Sequence, residues 1–196
     1  QIREVFRACM EQKMLCRTFL KYEDFYRYYF PLRMTERFFL GAEEDDFLLD
    51  GFCIRLFRDV KKAETKNDIC LDIIKKEGLL DLLTAPEIDL SSWQTIFFSL
   101  AELERNIIVE GESTEPDNAQ FAIGRIERVA KNRLFLRHFD GDGVWQSEPY
   151  EIPFAEITSV TFGSRYVEVF SKYLPPLPEN FGKTEYVALH KTSGKE

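Results

Sequence analysis

Few residues in this chain are equipped for chemistry. Nucleophilic catalysis needs a base within hydrogen-bond reach of its nucleophile, and His138 and His190 are the only imidazoles in 196 residues. His138 falls in an alternating strand pattern beside Arg137, whereas His190 lies in a tail rich in Lys, Gly, Thr and Ser, where no rigid scaffold would hold a general base. Asp140 and Asp142, with Glu148 and Glu151 at loop positions nine and twelve, follow a calcium-loop register in part. The register fails at positions five and six, where Val144 and Trp145 replace an oxygen ligand and the glycine of the sharp turn. A hairpin turn is therefore expected there. Glu43-Glu-Asp-Asp46 presents carboxylates that could meet a hard cation, but such a run reads first as a solvated acidic turn. Gly163-Ser164 reads as a helix cap before it reads as an anion site. Neither GxxxxGK nor GxGxxG occurs. The expectation is a protein with no catalytic residues, no metal and no cofactor.

The remaining candidate is a contact surface. Phe25-Tyr-Arg-Tyr-Tyr-Phe30 is followed by Arg33 and Arg37. Strand alternation puts Tyr26 and Tyr28 on one face. Tyrosines interleaved with arginines can stack bases and hold phosphates, or anchor a protein interface, where both types are favoured. The same run also suits alternate rings in a core with solvated arginines. Tyr26, Tyr28, Arg33 and Arg37 are the candidate binding residues.

Charge weighs against the nucleic-acid option. The net charge is −8, and residues 1 to 80 carry 15 basic and 15 acidic side chains, so the later residues supply all of it. A nucleic-acid binder draws its affinity from a basic stripe that neutralises phosphates. Cys9, Cys16, Cys53 and Cys70 show no CxxC spacing and no accompanying histidines. They read as buried free thiols, which fits a reducing compartment and a cytoplasmic location. No run approaches the ~18 apolar residues of a membrane helix. No secretory signal is read at the start, although the first residue is Gln rather than Met.

The elements that must position the contact residues follow from periodicity. Ile2, Val5, Phe6, Cys9 and Met10 mark one face of a helix within residues 2–16. Strands are expected at 18–20, at 25–30 until Pro31 interrupts, at 38–42 and at 47–49. Asp50-Gly51 then breaks the chain before a strand at 52–57. A helix carries Ile69, Cys70, Ile73 and Ile74 and ends at Gly78. Residues 84–91 read as a linker in which Asp89 or Ser91 can cap the next helix, with Trp93, Ile96, Phe97 and Leu100 on its face. Strands at 107–109, 121–127, 134–139 and 150–152, and one holding Ile157 and Val160, precede a helix that Ser164 could cap.

The two halves read alike. Arg37-Phe-Phe-Leu40 matches Arg133-Leu-Phe-Leu136, and Phe57-Arg-Asp-Val60 matches Phe154-Ala-Glu-Ile157, at nearly the same offset. Short strands joined by tight turns suit a small closed barrel. Asp50 to Val60 and Glu148 to Val160 resemble the later strands of Sm-like and SH3-like barrels, in which an acidic and a β-branched residue open the last strand. The whole chain is similar to uncharacterised bacterial proteins with two such barrels in tandem. The fold class expected is α+β, mainly β, with two tandem small Sm/SH3-like barrels and flanking helices. The units expected are 1–83 and 92–178, joined by 84–91 and followed by a tail at 179–196. The resemblance raises RNA as a partner, but no Sm uridine-pocket motif is visible. The function expected is non-catalytic binding of a macromolecule, protein first and RNA as the alternative, with no membrane partner.

Overall fold

The computed structural model describes residues 1–183; His190 and most of the tail read at 179–196 lie outside the described residues. Helix α1 spans Ile2–Gln12 and buries Phe6 and Cys9, as the spacing requires. It stops short of residue 16 because Lys13 turns the chain with φ 49°, and strand β1 already occupies Leu15–Leu20. Strand β2, Tyr26–Met34, runs through Pro31 rather than ending there. A register shift between Pro31 and Arg33 absorbs the residue that lacks an N–H.

Strand β3, Phe38–Asp45, takes in most of the acidic run. The reversal itself is only Asp46 and Phe47, both at positive φ, a two-residue hairpin loop closed by the Asp45–Leu48 pair. Strand β4 is continuous over Leu48–Leu56, with Gly51 at φ 77° inside it. A 3-10 turn at Phe57–Asp59 leads into β5, Val60–Lys66. Helix α2, Ile69–Lys76, is capped by Asp68 and followed by Gly78 at φ 78°.

The segment 84–91 is packed, with Ile88 and Leu90 buried. Helix α3, Trp93–Ala101, begins in a capping box formed by Ser92 and Thr95, so the cap is Ser92 rather than Asp89 or Ser91. Strands β6 (Asn106–Gly111), β7 (Gln120–Val129), β8 (Arg133–His138) and β9 (Tyr150–Pro153) follow. A second 3-10 turn at Phe154–Glu156 leads into β10, Ser159–Phe162. Helix α4 spans Arg165–Ser171. Ser164 stands at its N-cap position without capping through its side chain; Asp50 accepts the Arg165 N–H instead, at 2.6 Å.

These strands do not close into the two separate small barrels expected. They form one open antiparallel sheet of ten strands in the order β5-β1-β2-β3-β4-β10-β6-β7-β8-β9. The reason lies at the middle: β4 offers its free edge to β10, pairing Phe52 with Phe162 and Arg55 with Ser159. Each edge satisfies the other's backbone groups, as any strand edge must be satisfied or exposed. The mainly β, α+β character stands. Within the continuous sheet, the first five strands and the last five follow the same order relative to β1 and β6. The bulge between Pro31 and Arg33 on β2 also has a counterpart between Ile126 and Arg128 on β7.

The largest core crosses the junction. Ile54 and Leu56 of β4 pack with Val160, Val109, Leu134 and the α3 residues Trp93, Ile96, Phe97 and Leu100. Phe38 and Trp93 meet edge to face, centroids 4.9 Å apart. Burying one such side chain stabilises by about 1.5 to 3 kcal/mol, so α3 fastens one face of the seam. Among the described residues, no helix is long and apolar enough to cross a membrane.

Candidate binding site

Residues opposite one another on neighbouring strands share a sheet face. Ile54, Val160, Val109 and Ala122 form one such row and face α3. The adjacent row, Arg55, Ser159, Glu110 and Phe121, therefore points to the other face. On that face a hollow of about 800 Å³ opens across the seam, reaching from Tyr26 and Tyr28 on β2 to Phe121 on β7. Its rim carries uncovered rings: Phe25 is 82% exposed, Phe121 58%, Tyr26 44% and Phe47 39%.

The hollow is acidic. Seven carboxylates line it against two cations, Arg27 and Lys66. Arg27 is already held by Glu23 and Glu43, at 2.8 Å each. Burial pushes the Glu44 carboxyl up, with Asp45 and Asp46 adding to the effect. Burial likewise raises Glu110, helped by nearby Glu112. Lys66 offsets the rise at Glu44 only in part, and Arg55 and Arg27 that at Glu110, so a further cation would relieve both.

Beneath the floor, Arg55 is 2% exposed and ties the halves together. It donates to Glu112 at 2.6 Å and to the Tyr29 hydroxyl at 3.0 Å, and Glu23 lies 3.7 Å away. Thr158 donates to Glu112, and Ser159 to Glu110. This buried network sets the floor's shape rather than offering free charge to a ligand.

The candidates from the sequence divide. Tyr26 and Tyr28 do lie together, ring centroids 5.1 Å apart, with Phe19 beside Tyr26 at 5.7 Å. Arg33 and Arg37 are not beside them. Arg33 donates to the Ile88 carbonyl at 2.8 Å, and Arg37 lies over Phe38 at the rim of a different hollow. The cations near the tyrosines are Arg17, 4.7 Å from the Tyr26 centroid, and Lys66, 4.6 Å from that of Tyr28. Burial alone would raise the Tyr28 phenol, but Lys66 and Arg17 donate to its oxygen and hold it below the usual tyrosine range. Glu64 and Asp68 pair with the same two cations.

Arg17 and Lys66 could have been suggested only by knowing the register of β1 and β5. Phe121 belongs to the site only because β10 joins β4 to β6. The rim ring Phe25 stood inside the aromatic run that drew attention.

The other singled-out residues have structural partners. Asp140 accepts from the Asp142 and Val144 N–H groups, so its carboxylate shapes the turn. Burial lowers the His138 imidazole, which lies 5.6 Å from the Tyr150 ring. Cys9, Cys16 and Cys53 are buried free thiols, whereas Cys70 is half-buried. A hydrogen bond from Cys16 lowers Cys9 to about 7, but Cys9 is wholly inaccessible. Among the described residues, no group of three or more His, Cys, Asp and Glu side chains is placed to hold a metal ion. No family model, curated protein or solved structure matches this chain.

Proposed function

We propose that this protein acts without catalysis, as a cytoplasmic binding module that takes a basic segment of a partner protein into the hollow across the seam. One observation carries the reading: exposed Phe25, Tyr26, Phe47 and Phe121 surround a surface with seven carboxylates and two already paired cations. Lysine and arginine side chains suit such a place, because aromatic faces attract cations and the underlying carboxylates attract them further. A polyanion does not, because Arg17 and Lys66 are engaged by Tyr28, Glu64 and Asp68. The four free cysteines support the reducing compartment.

The test is fluorescence anisotropy with a labelled Lys/Arg-rich decapeptide, run beside a labelled mixed-sequence RNA at physiological salt. The peptide is expected to bind with micromolar affinity and to weaken about tenfold or more in Tyr26→Ala, a loss of about 1.4 kcal/mol, ordinary for an interface aromatic. Micromolar or tighter binding of the RNA, with none of the peptide, would overturn the reading in favour of an RNA-binding module.

A further inference from the structure

The junction at the centre of the sheet is a pattern that both ends are equipped to repeat. We propose that copies of this chain associate head to tail, the β9 edge of one copy pairing antiparallel with the β5 edge of the next.

The strand order provides the template. In the last five strands β10 occupies the place that β5 holds in the first five, and β9 the place that β4 holds. Inside the chain the β4 edge is taken by β10. Among the described residues, β5 pairs only with β1 and β9 only with β8, so the two equivalent edges remain open. Unpaired backbone edges of this kind are ready to accept another strand.

Register follows from the same equivalence. The 3-10 turns begin at Phe57 and Phe154, so Lys62 on β5 corresponds to Ser159 on β10. The bulges on β2 and β7 make Phe39 the counterpart of Leu134. Phe39 pairs with Arg55, and Leu134 with Ile152, so Ile152 on β9 corresponds to Arg55 on β4 and Glu151 to Ile54. Arg55 is opposite Ser159 within the chain. Val160 is opposite Ile54 in the same pair. Lys62 of one copy would thus stand opposite Ile152 of another, and Ala63 opposite Glu151, with Lys61 diagonal to that glutamate on the wall of the hollow beside β5.

Two further features match. Beside the β5 edge lies a hollow of about 790 Å³, floored by Ile2, Val5, Phe57 and Ala63. At the internal junction the corresponding ground is filled, since Trp93 of α3 meets Phe38 of β3 across the seam. Charge is also complementary. The β5 hollow carries Arg3, Arg37, Arg58, Lys61 and Lys62 against Glu36, whereas the β9 segment brings Glu148 and Glu151, the latter shared with Arg133 of β8. Because the two edges differ, the contact is heterologous and produces a ring if its rotation closes, or a filament if it does not.

Sedimentation velocity from about 1 to 100 µM brackets a micromolar contact. Concentration-dependent assembly is expected, weakened about tenfold in Lys61→Glu and in Glu151→Lys and restored when the double variant recreates the diagonal pair. Both side chains are exposed, so neither substitution should affect folding. In a Cys70→Ser background, mixed Ala63→Cys and Glu151→Cys chains should form a disulfide-linked dimer on oxidation, because directly opposed strand residues lie within disulfide reach. A protein that stays monomeric throughout the range, single variants that assemble like the parent, or cysteine chains that cross-link no better mixed than alone would each overturn the proposal.

Discussion

Replacing Arg55 with Met tests whether the polar network under the hollow holds the two halves of the sheet together. The substitution keeps most of the volume but removes the guanidinium that is bound to Glu112 at 2.6 Å and to Tyr29 at 3.0 Å. Breaking a buried ion pair from one side costs about 3 to 5 kcal/mol, because the remaining charge stays buried without its partner. Glu112 keeps 13% side-chain exposure and a bond from Thr158, which favours the low end of that range. The stranded Tyr29 hydroxyl, on a fully buried residue, adds about 1 kcal/mol. A loss of about 3 to 4 kcal/mol is therefore expected. Urea unfolding at pH 7 reads it as a lower midpoint at unchanged slope. The double variant Arg55→Met/Glu112→Gln should recover about 1 to 3 kcal/mol of the summed single losses, as groups in direct contact do. A single-variant loss below about 1 kcal/mol, or strictly additive single effects, would refute the role assigned to Arg55.

Other outcomes follow from particular contacts. The folded Glu110 carboxyl is raised by burial and by Glu112, so the stability it contributes is complete below its unfolded value and lost as pH rises through the folded value. Glu110→Gln should therefore melt higher than the parent at pH 7 and no higher near pH 3, where both states are protonated; an equal effect at both pH values would contradict this. A Cβ at Gly124 would lie 1.9 Å from the Arg137 carbonyl oxygen. Gly124→Ala should thus destabilise by at least the about 1 to 3 kcal/mol typical of overpacking, measured by thermal unfolding. Glu127 binds the Arg137 guanidinium through two oxygens and accepts from the Gly182 N–H. Glu127→Ala should lose about 3 to 5 kcal/mol and make the chain around residues 178–183 cleavable in limited proteolysis before the sheet unfolds.

The parts of the fold legible in the sequence are those determined by near neighbours. Phe6 and Cys9 on α1, the Trp93-to-Leu100 face of α3 and the glycine stop at Gly78 all depend on residues within one or two turns. Pro31 misled because a bulge can carry a proline inside a strand, and bulges leave no local pattern. Asp50 looked like a turn residue, yet it caps α4 from 115 positions away. The seam was invisible for a deeper reason: the edges of β4 and β10 join through backbone groups, which every residue except proline carries. The same alternating side chains suit a strand that closes its own barrel and one that pairs with a neighbouring unit. Arg55 suffered similarly, since an arginine in Phe-Cys-Ile-Arg-Leu reads as the solvent side of a strand.

The single seam accounts for both faces of the molecule at its centre. Because β4 and β10 pair in one register, Ile54 and Val160 are committed to the apolar face under α3. A slip of β4 by one residue against β10 would turn β4 over and set Arg55 against Trp93 and Phe97. The correct register sends Arg55 to the other side, where Glu112 and Glu23 receive it and Glu110 comes to rest on the floor of the acidic hollow. Tyr26 on β2 and Phe121 on β7 are brought to opposite parts of that hollow by the four strands between them, and neither half alone contains both. A surface assembled in this way depends on sheet continuity as much as on its own side chains, so substitutions at the seam should impair binding even where they touch no ligand.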